Sequence, residues 1–117
     1  MTITAISTIT VELMTSLRVG QATDAEWGPR TAINMPALVT TVGEMAAALE
    51  RVAGPGAAAL IDWTPDEHIR RIVRSWPGRV ESPRAQALGL HADPDFDTVI
   101  RDYAHENAQV VKWPISG

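Results

Sequence analysis

The chain has 117 residues, 45% of them hydrophobic and 21% charged, with a formal charge of -4, which fits one domain whose core takes roughly two-thirds of the unfolded chain's surface out of water. The acidic balance disfavours a nucleic-acid partner, because attraction to phosphates needs a surplus of Lys and Arg, and no apolar run approaches the roughly 20 residues that span a bilayer. Zero cysteines exclude disulfides, thiolate metal sites and a thiol nucleophile, and fit a reducing cytoplasm.

Residues 1–10 lack the basic start and unbroken apolar stretch of a secretory signal, so a cytoplasmic chain is expected. Ile3, Ala5, Ile9 and Val11 roughly alternate with Thr4, Thr8 and Thr10, a pattern open to two readings, an edge strand or a disordered tail. Leu13, Met14 and Leu17 recur at helical spacing and predict a short helix over 11–19, stopped by Gly20. Residues 21–29 read as a loop ending in Gly28-Pro29. Thr31 to Met35 reads as a strand closed by Pro36, which lacks an amide proton and restrains its predecessor.

Thr41 and Glu44 sit three apart, the spacing of a capping box, and Val42, Met45, Ala46, Leu49, Val52 and Ala53 then define one buried helical face that Gly54-Pro55 ends. Leu60 to Trp63 is read as a strand. Thr64 as cap with Pro65 at the first turn predicts a second helix, with Ile69, Ile72, Val73 and Trp76 as its apolar stripe and Pro77-Gly78 as its stop. Ser82-Pro83 opens a short helix closed by Gly89, and Asp93-Pro94-Asp95 opens a longer one with Phe96, Val99, Ile100 and Tyr103 facing inward. Val110, Val111 and Trp113 suggest a closing strand. No repeat occurs at the periods of solenoid proteins.

Several of these pieces, in order, resemble the C-terminal part of NAD-dependent epimerase/dehydratase proteins, the extended short-chain dehydrogenases. They are Ile33-Asn-Met-Pro36 with Thr41-Val-Gly-Glu-Met45, then the run from Trp63 to Pro77, then Arg84-Ala-Gln-Ala-Leu-Gly-Leu90 with Asp95-Phe-Asp97 and Tyr103. Ser75-Trp-Pro77 and Ala87-Leu-Gly-Leu90 are the most specific, and the nearest subgroup acts on sugar acids of the D-erythronate kind. The resemblance divides the chain into an unmatched segment 1–10, a substrate-binding lobe 11–107 and an unmatched tail 108–117. It implies an α+β unit, mostly helical, with two or three short strands, forming part of an enzyme whose NAD site lies in a Rossmann domain.

Neither the cofactor site nor the catalytic pair of that family is legible here, so no catalytic, cofactor-binding or metal-binding residue is assigned and the chain alone is expected to be inactive. The only tyrosine, Tyr103, is followed four residues later by Asn107 and not by the Lys of a Tyr-x-x-x-Lys pair, and the only lysine is Lys112. Gly54-Pro-Gly56 with Ala59 imitates a dinucleotide loop, but it follows a helix and puts a proline where an amide donor is wanted. A helix stop is the plainer reading.

Arg70, Arg71, Arg74, Arg79 and Arg84 fall within a stretch whose one acid is Glu81. Guanidinium forks bind carboxylates through paired hydrogen bonds, so an anionic small molecule such as a sugar acid is the partner this stretch suits, and a solvated helix face is the competing reading. A loop at the matching place contributes to the substrate pocket in related enzymes, which makes Arg74, Trp76 and Arg79 the candidate substrate-binding residues. A Rossmann-domain partner or self-association is expected to cover the remaining apolar surface. His68, His91, His105 and the Asp93, Asp95, Asp97 series lack metal-ligand spacing; Asp93 reads as a helix cap, with Asp95 and Asp97 favouring the helix dipole. Met35, Met45, Trp63 and Trp76 read as core more readily than as pocket, and Asn34 as a residue bonding nearby backbone.

Overall fold

The computed structural model describes residues 2–6, 9–29 and 32–116. Strand β1 (Thr2–Ile6) leads into helix α1 (Ile9–Gln21) and the single turn α2 (Asp24–Trp27). Strand β2 (Leu38–Thr41) runs directly into α3 (Val42–Ala53), followed by α4 (Pro55–Ala58), α5 (Glu67–Arg74), α6 (Pro83–Ala87) and α7 (Phe96–Glu106). The two strands form an antiparallel sheet with Thr2 opposite Thr41 and Ile6 opposite Leu38, and an irregularity lies between Ile3 and Ile6. This is the mostly helical α+β architecture expected; β1 takes up the edge-strand reading of residues 1–10, while β2 lies outside the strands expected.

The strand expected at Thr31 to Met35 does not form over its described residues 32–35. Ile33 packs instead on a cluster of Ala85, Leu88 and Leu90, joined by Val19 and Ala22, and the strand forms after Pro36, where Val39-Thr-Thr41 supplies β-branched residues. The strand expected at Leu60 to Trp63 is replaced by a turn with Leu60 and Trp63 73% and 61% exposed. The closing strand around Val110 is likewise absent, and residues 107–110 turn back toward α3. There the Ser116 amide donates to the Val52 carbonyl at 2.8 Å and Arg101 Nε donates to the Ser116 carbonyl at 3.0 Å. The tail is thus fixed by hydrogen bonds that no sheet pattern announces.

Capping explains where the helices begin. The Thr41 hydroxyl accepts from the Glu44 amide at 3.1 Å, and the full reciprocal box forms at Thr23 and Glu26, inside the segment expected to be loop. Asp66 caps α5, accepting from the His68 and Ile69 amides at 2.8 and 3.1 Å. Thr64 hydrogen-bonds Asp62 instead. Asp95, two residues after the cap expected, accepts from the Thr98 amide at 2.7 Å, while Asp93 is buried. Gly20 does not stop α1, which continues to Gln21, whereas Gly54 and Gly89 adopt φ of 84° and 77° and end their helices as expected.

Most of the buried apolar residues are alanines, Leu88 and Leu90 being the larger exceptions. Ala48, Val52, Ala53, Ala57 and Ala104 line the contact of α3 with α4 and α7, and Val52 is the largest side chain sealed completely from solvent. Met14, Leu17 and Met35 are exposed, as are Ile69, Ile72 and Trp76 on α5 and the turn after it. The molecule measures 51 × 36 × 18 Å with a radius of gyration of 17.0 Å, against about 13 Å for a compact domain of this length. Its 8343 Å² of surface exceeds the about 6,200 Å² of a compact monomer of this mass, and only about 55% of the unfolded surface is buried. The two-thirds expected would need a cover over these apolar faces.

Arg51 on α3 holds Asp97 on α7 through two bonds of 3.0 and 2.6 Å. The guanidinium's hydrogen bonds keep the Asp97 carboxyl below its ordinary range, so its role is a helix-to-helix clamp beyond the favourable dipole expected for it. A carboxyl with a lower pKa folded than unfolded stabilises the fold above about pH 4 and loses that contribution as pH falls through the folded value. The urea midpoint should accordingly fall on acidification from pH 5 to pH 2.5, with a smaller fall in Asp97→Asn. Identical acid profiles for the two proteins would exclude the clamp.

Candidate functional site

The arginine-rich stretch divides by structure into residues that serve the fold and residues that face solvent. Arg84 turns inward: Nη1 donates to the Ala32 carbonyl at 2.8 Å and Nη2 to the Trp27 carbonyl at 2.5 Å. These bonds hold the Trp27 and Ala32 carbonyls against α6, beside the Ser82 hydroxyl, which donates to the Asn34 carbonyl. Asn34 therefore contributes its backbone oxygen while the residue as a whole stays exposed. Arg70 pairs with Glu67 at 2.9 Å one helical turn away. Arg71 and Arg74, in the last turn of α5, form no ion pair among the described residues.

The three candidate residues follow one another across the end of α5. The Ser75 amide and hydroxyl both donate to the Ile72 carbonyl, and the Trp76 amide donates to the Val73 carbonyl. These bonds close the helix and turn Trp76 outward, 64% exposed. Arg74 and Arg79 flank it, also exposed, and Arg79 lies 3.5 Å from Glu81 with both side chains about three-quarters in water. Such a surface pair is worth little and can yield to another anion. The cluster sits at the negative end of the α5 dipole, so any anion held there depends on the guanidinium groups themselves. All three residues are exposed, at or just beyond the end of α5, and none of them lines the grooves described next.

One groove of about 480 Å³ lies between α3, α4, α7 and the C-terminal tail. Another, about 390 Å³, runs beneath Trp63 between Asp62, Thr64, Asp66 and Arg70. Tyr103, expected to face inward, is 60% exposed and lines the first groove. Asn107, four residues after Tyr103, caps α7 by donating its amide and side-chain nitrogen to the Tyr103 carbonyl. Trp63 and Trp76, read as core, are likewise exposed, and Met45 is half-buried. Lys112 and Trp113 in the first groove were not singled out by the sequence, because they come together with Tyr103 only through the folding back of the tail.

The glycine segment 54–56 does not fit a pyrophosphate cradle. Gly54 links two helices, Pro55 opens α4, and a Cβ placed on Gly56 would lie 2.8 Å from the Trp113 ring, which already fills the space over it. Among the described residues no group of three or more His, Asp or Glu side chains is placed to hold a metal ion, and no helix is long and apolar enough to cross a membrane.

The chain is 39% identical over 79 residues to D-erythronate dehydrogenase from Cupriavidus necator, a match covering 68% of this chain and 24% of that protein. It is 38% identical over 71 residues to D-erythronate dehydrogenase from Haemophilus influenzae, covering 61% of this chain and 22% of that protein. The crystal structure of the nucleoside-diphosphate-sugar epimerase from Agrobacterium tumefaciens matches 90% of this chain and 31% of its own, with a TM-score of 0.81 and 30% identity. No protein-family model matches. The chain thus spans about a quarter of the length of the curated relatives it matches, and these likenesses bear out the resemblance to epimerase/dehydratase proteins read from Ile33 to Tyr103.

Proposed function

We propose that these residues form the substrate-binding portion of an NAD-dependent sugar-acid dehydrogenase or epimerase of the D-erythronate kind, working in the cytoplasm. NAD and the acid/base residues would be supplied from outside the 117 residues. The likeness to two D-erythronate dehydrogenases carries this reading. The exposure of Arg74, Trp76 and Arg79 is compatible with it: two guanidinium groups suit a carboxylate, and an indole face suits the C–H side of a polyol chain. A dinucleotide finds no cradle at the one glycine-rich segment that resembles one.

Two measurements on the 117-residue protein test the proposal. No NADH should form from NAD and D-erythronate, and steady formation of NADH would overturn the division of labour. Titration with D-erythronate should shift the backbone amide resonances of Arg74 and Arg79 and the indole N–H of Trp76, and Arg74→Glu with Arg79→Glu should weaken that response at least tenfold without changing the melting temperature. Shifts confined to other residues would reassign the site.

A second reading, a free-standing module that pairs with itself or with a partner, is favoured by one observation. Ile69 and Ile72 on α5, a helix in which no residue is buried, and Trp76 on the turn after it are 45–64% exposed, and exposed apolar patches mark contact surfaces. On this reading the protein binds an apolar dye or elutes larger than a monomer, and Ile72→Glu suppresses both. A stable monomer that binds no dye would remove it.

A further inference from the structure

We propose that the groove between α3, α4, α7 and the C-terminal tail binds a small amphipathic carboxylate, with its apolar body in the groove and its carboxylate at the Lys112 ammonium. The inference does not rest on the sugar-acid reading, since it concerns different residues and a ligand of different polarity.

The groove's volume, about 480 Å³, lies in the range of small-molecule sites. Every residue lining it is apolar except Tyr103 and Lys112. These are the only tyrosine and the only lysine of the chain. Ala53, Ala57 and Ala104 are buried on its floor, where their short side chains leave room, and Leu49, Ile100 and Trp113 supply bulk around them.

Its outer wall is held in place. Ser116 is hydrogen-bonded through its amide and hydroxyl to the Val52 carbonyl at 2.8 and 2.9 Å, and its own carbonyl accepts from Arg101 at 3.0 Å. Between that anchor and the turn after α7, the ring of Trp113 packs over Gly56 so closely that a Cβ there would meet it at 2.8 Å. A ligand would therefore enter a groove already shaped and need not order a loose segment.

Charge selects the ligand's head group. Lys112 forms no ion pair among the described residues, and none of the lining residues is acidic. Lys112 is exposed, so a neutral apolar ligand gains nothing from the ammonium and a cationic one would be repelled. A carboxylate joins the ammonium in a charge-assisted hydrogen bond, and the exposed Tyr103 residue supplies a hydroxyl donor to the same groove.

The single lysine makes a direct test possible. Reductive methylation with ¹³C-formaldehyde keeps the charge and gives one side-chain dimethylamine signal, at Lys112, beside that of the chain's amino terminus. Titration with octanoate should move the Lys112 signal saturably, below the concentration at which octanoate forms micelles. Octanol and octylamine should bind at least tenfold more weakly by ligand-observed saturation transfer. The same measurement should show octanoate weakened at least tenfold by Lys112→Gln and by Leu60→Glu, both at exposed positions with unaltered circular dichroism expected. Equal binding of octanol, an unchanged affinity in Lys112→Gln, or the absence of a saturable shift would each overturn the proposal.

Discussion

Val52→Asp is expected to unfold the α3–α4–α7 lobe at neutral pH. Among the described residues Val52 is the largest side chain with no exposed surface, and the other buried residues of α3, α4 and α7 are alanines, which offer a new carboxylate no polar partner. The adjacent guanidinium of Arg51 is engaged with Asp97 by two hydrogen bonds and does not offer a partner for a new carboxylate. An unpaired buried charge destabilises by more than about 4 kcal/mol, close to the whole stability of a small domain. Val52→Ala removes only two methyl groups and should cost about 2 kcal/mol through lost burial and the cavity left behind. Urea unfolding followed by circular dichroism separates the two variants. A Val52→Asp protein with a midpoint near that of the parent would mean that the α3–α7 contact does not carry the fold.

What the sequence disclosed follows the range of the interactions concerned. Helix ends are written locally, and Thr41, Gly54 and Gly89 were read correctly because their partners lie within one turn. The Thr23–Glu26 box has the same three-residue spacing and could have been found by the same rule. Strand positions depend on a distant partner. Residues 32–35 and 38–41 both offer β-prone side chains, and the choice is made by β1 pairing with the second while Ile33 is taken up by the Leu88–Leu90 cluster.

Burial failed for a related reason. The α5 stripe has the spacing of a core-facing helix, yet it lies in water because none of the described residues covers it. Periodicity reports which face seeks burial, and it is silent on whether the covering surface belongs to the same residues. The candidate site is legible as a run of arginines around Trp76, whose exposure the sequence does not disclose. Which arginines belong to the fold is not legible, since Arg84 reaches carbonyls 52 and 57 positions away.

That division gives the second large effect, because Arg84→Ala should destabilise the protein by about 2 kcal/mol. Its guanidinium bridges the Trp27 and Ala32 carbonyls, and hydrogen bonds from a charged donor contribute about 1.5–3 kcal/mol each. The sum is not fully lost, since the neighbouring loop is exposed and water can reach the freed oxygens. Arg84→Lys retains the charge but not the planar fork that spans two acceptors, so it should recover less than half of the loss. Denaturant midpoints for the three proteins measure this directly, and equal stability of Arg84→Ala and the parent would remove Arg84 from the fold's support. The same cluster then yields opposite outcomes at its two ends. Arg84→Ala lowers stability while a folded sample still responds to a sugar acid at Trp76, whereas Arg74→Glu with Arg79→Glu leaves the midpoint in place and removes the response. Anion recognition and structural support, which a count of arginines merges, become separable because one guanidinium points into the backbone and the others point into water.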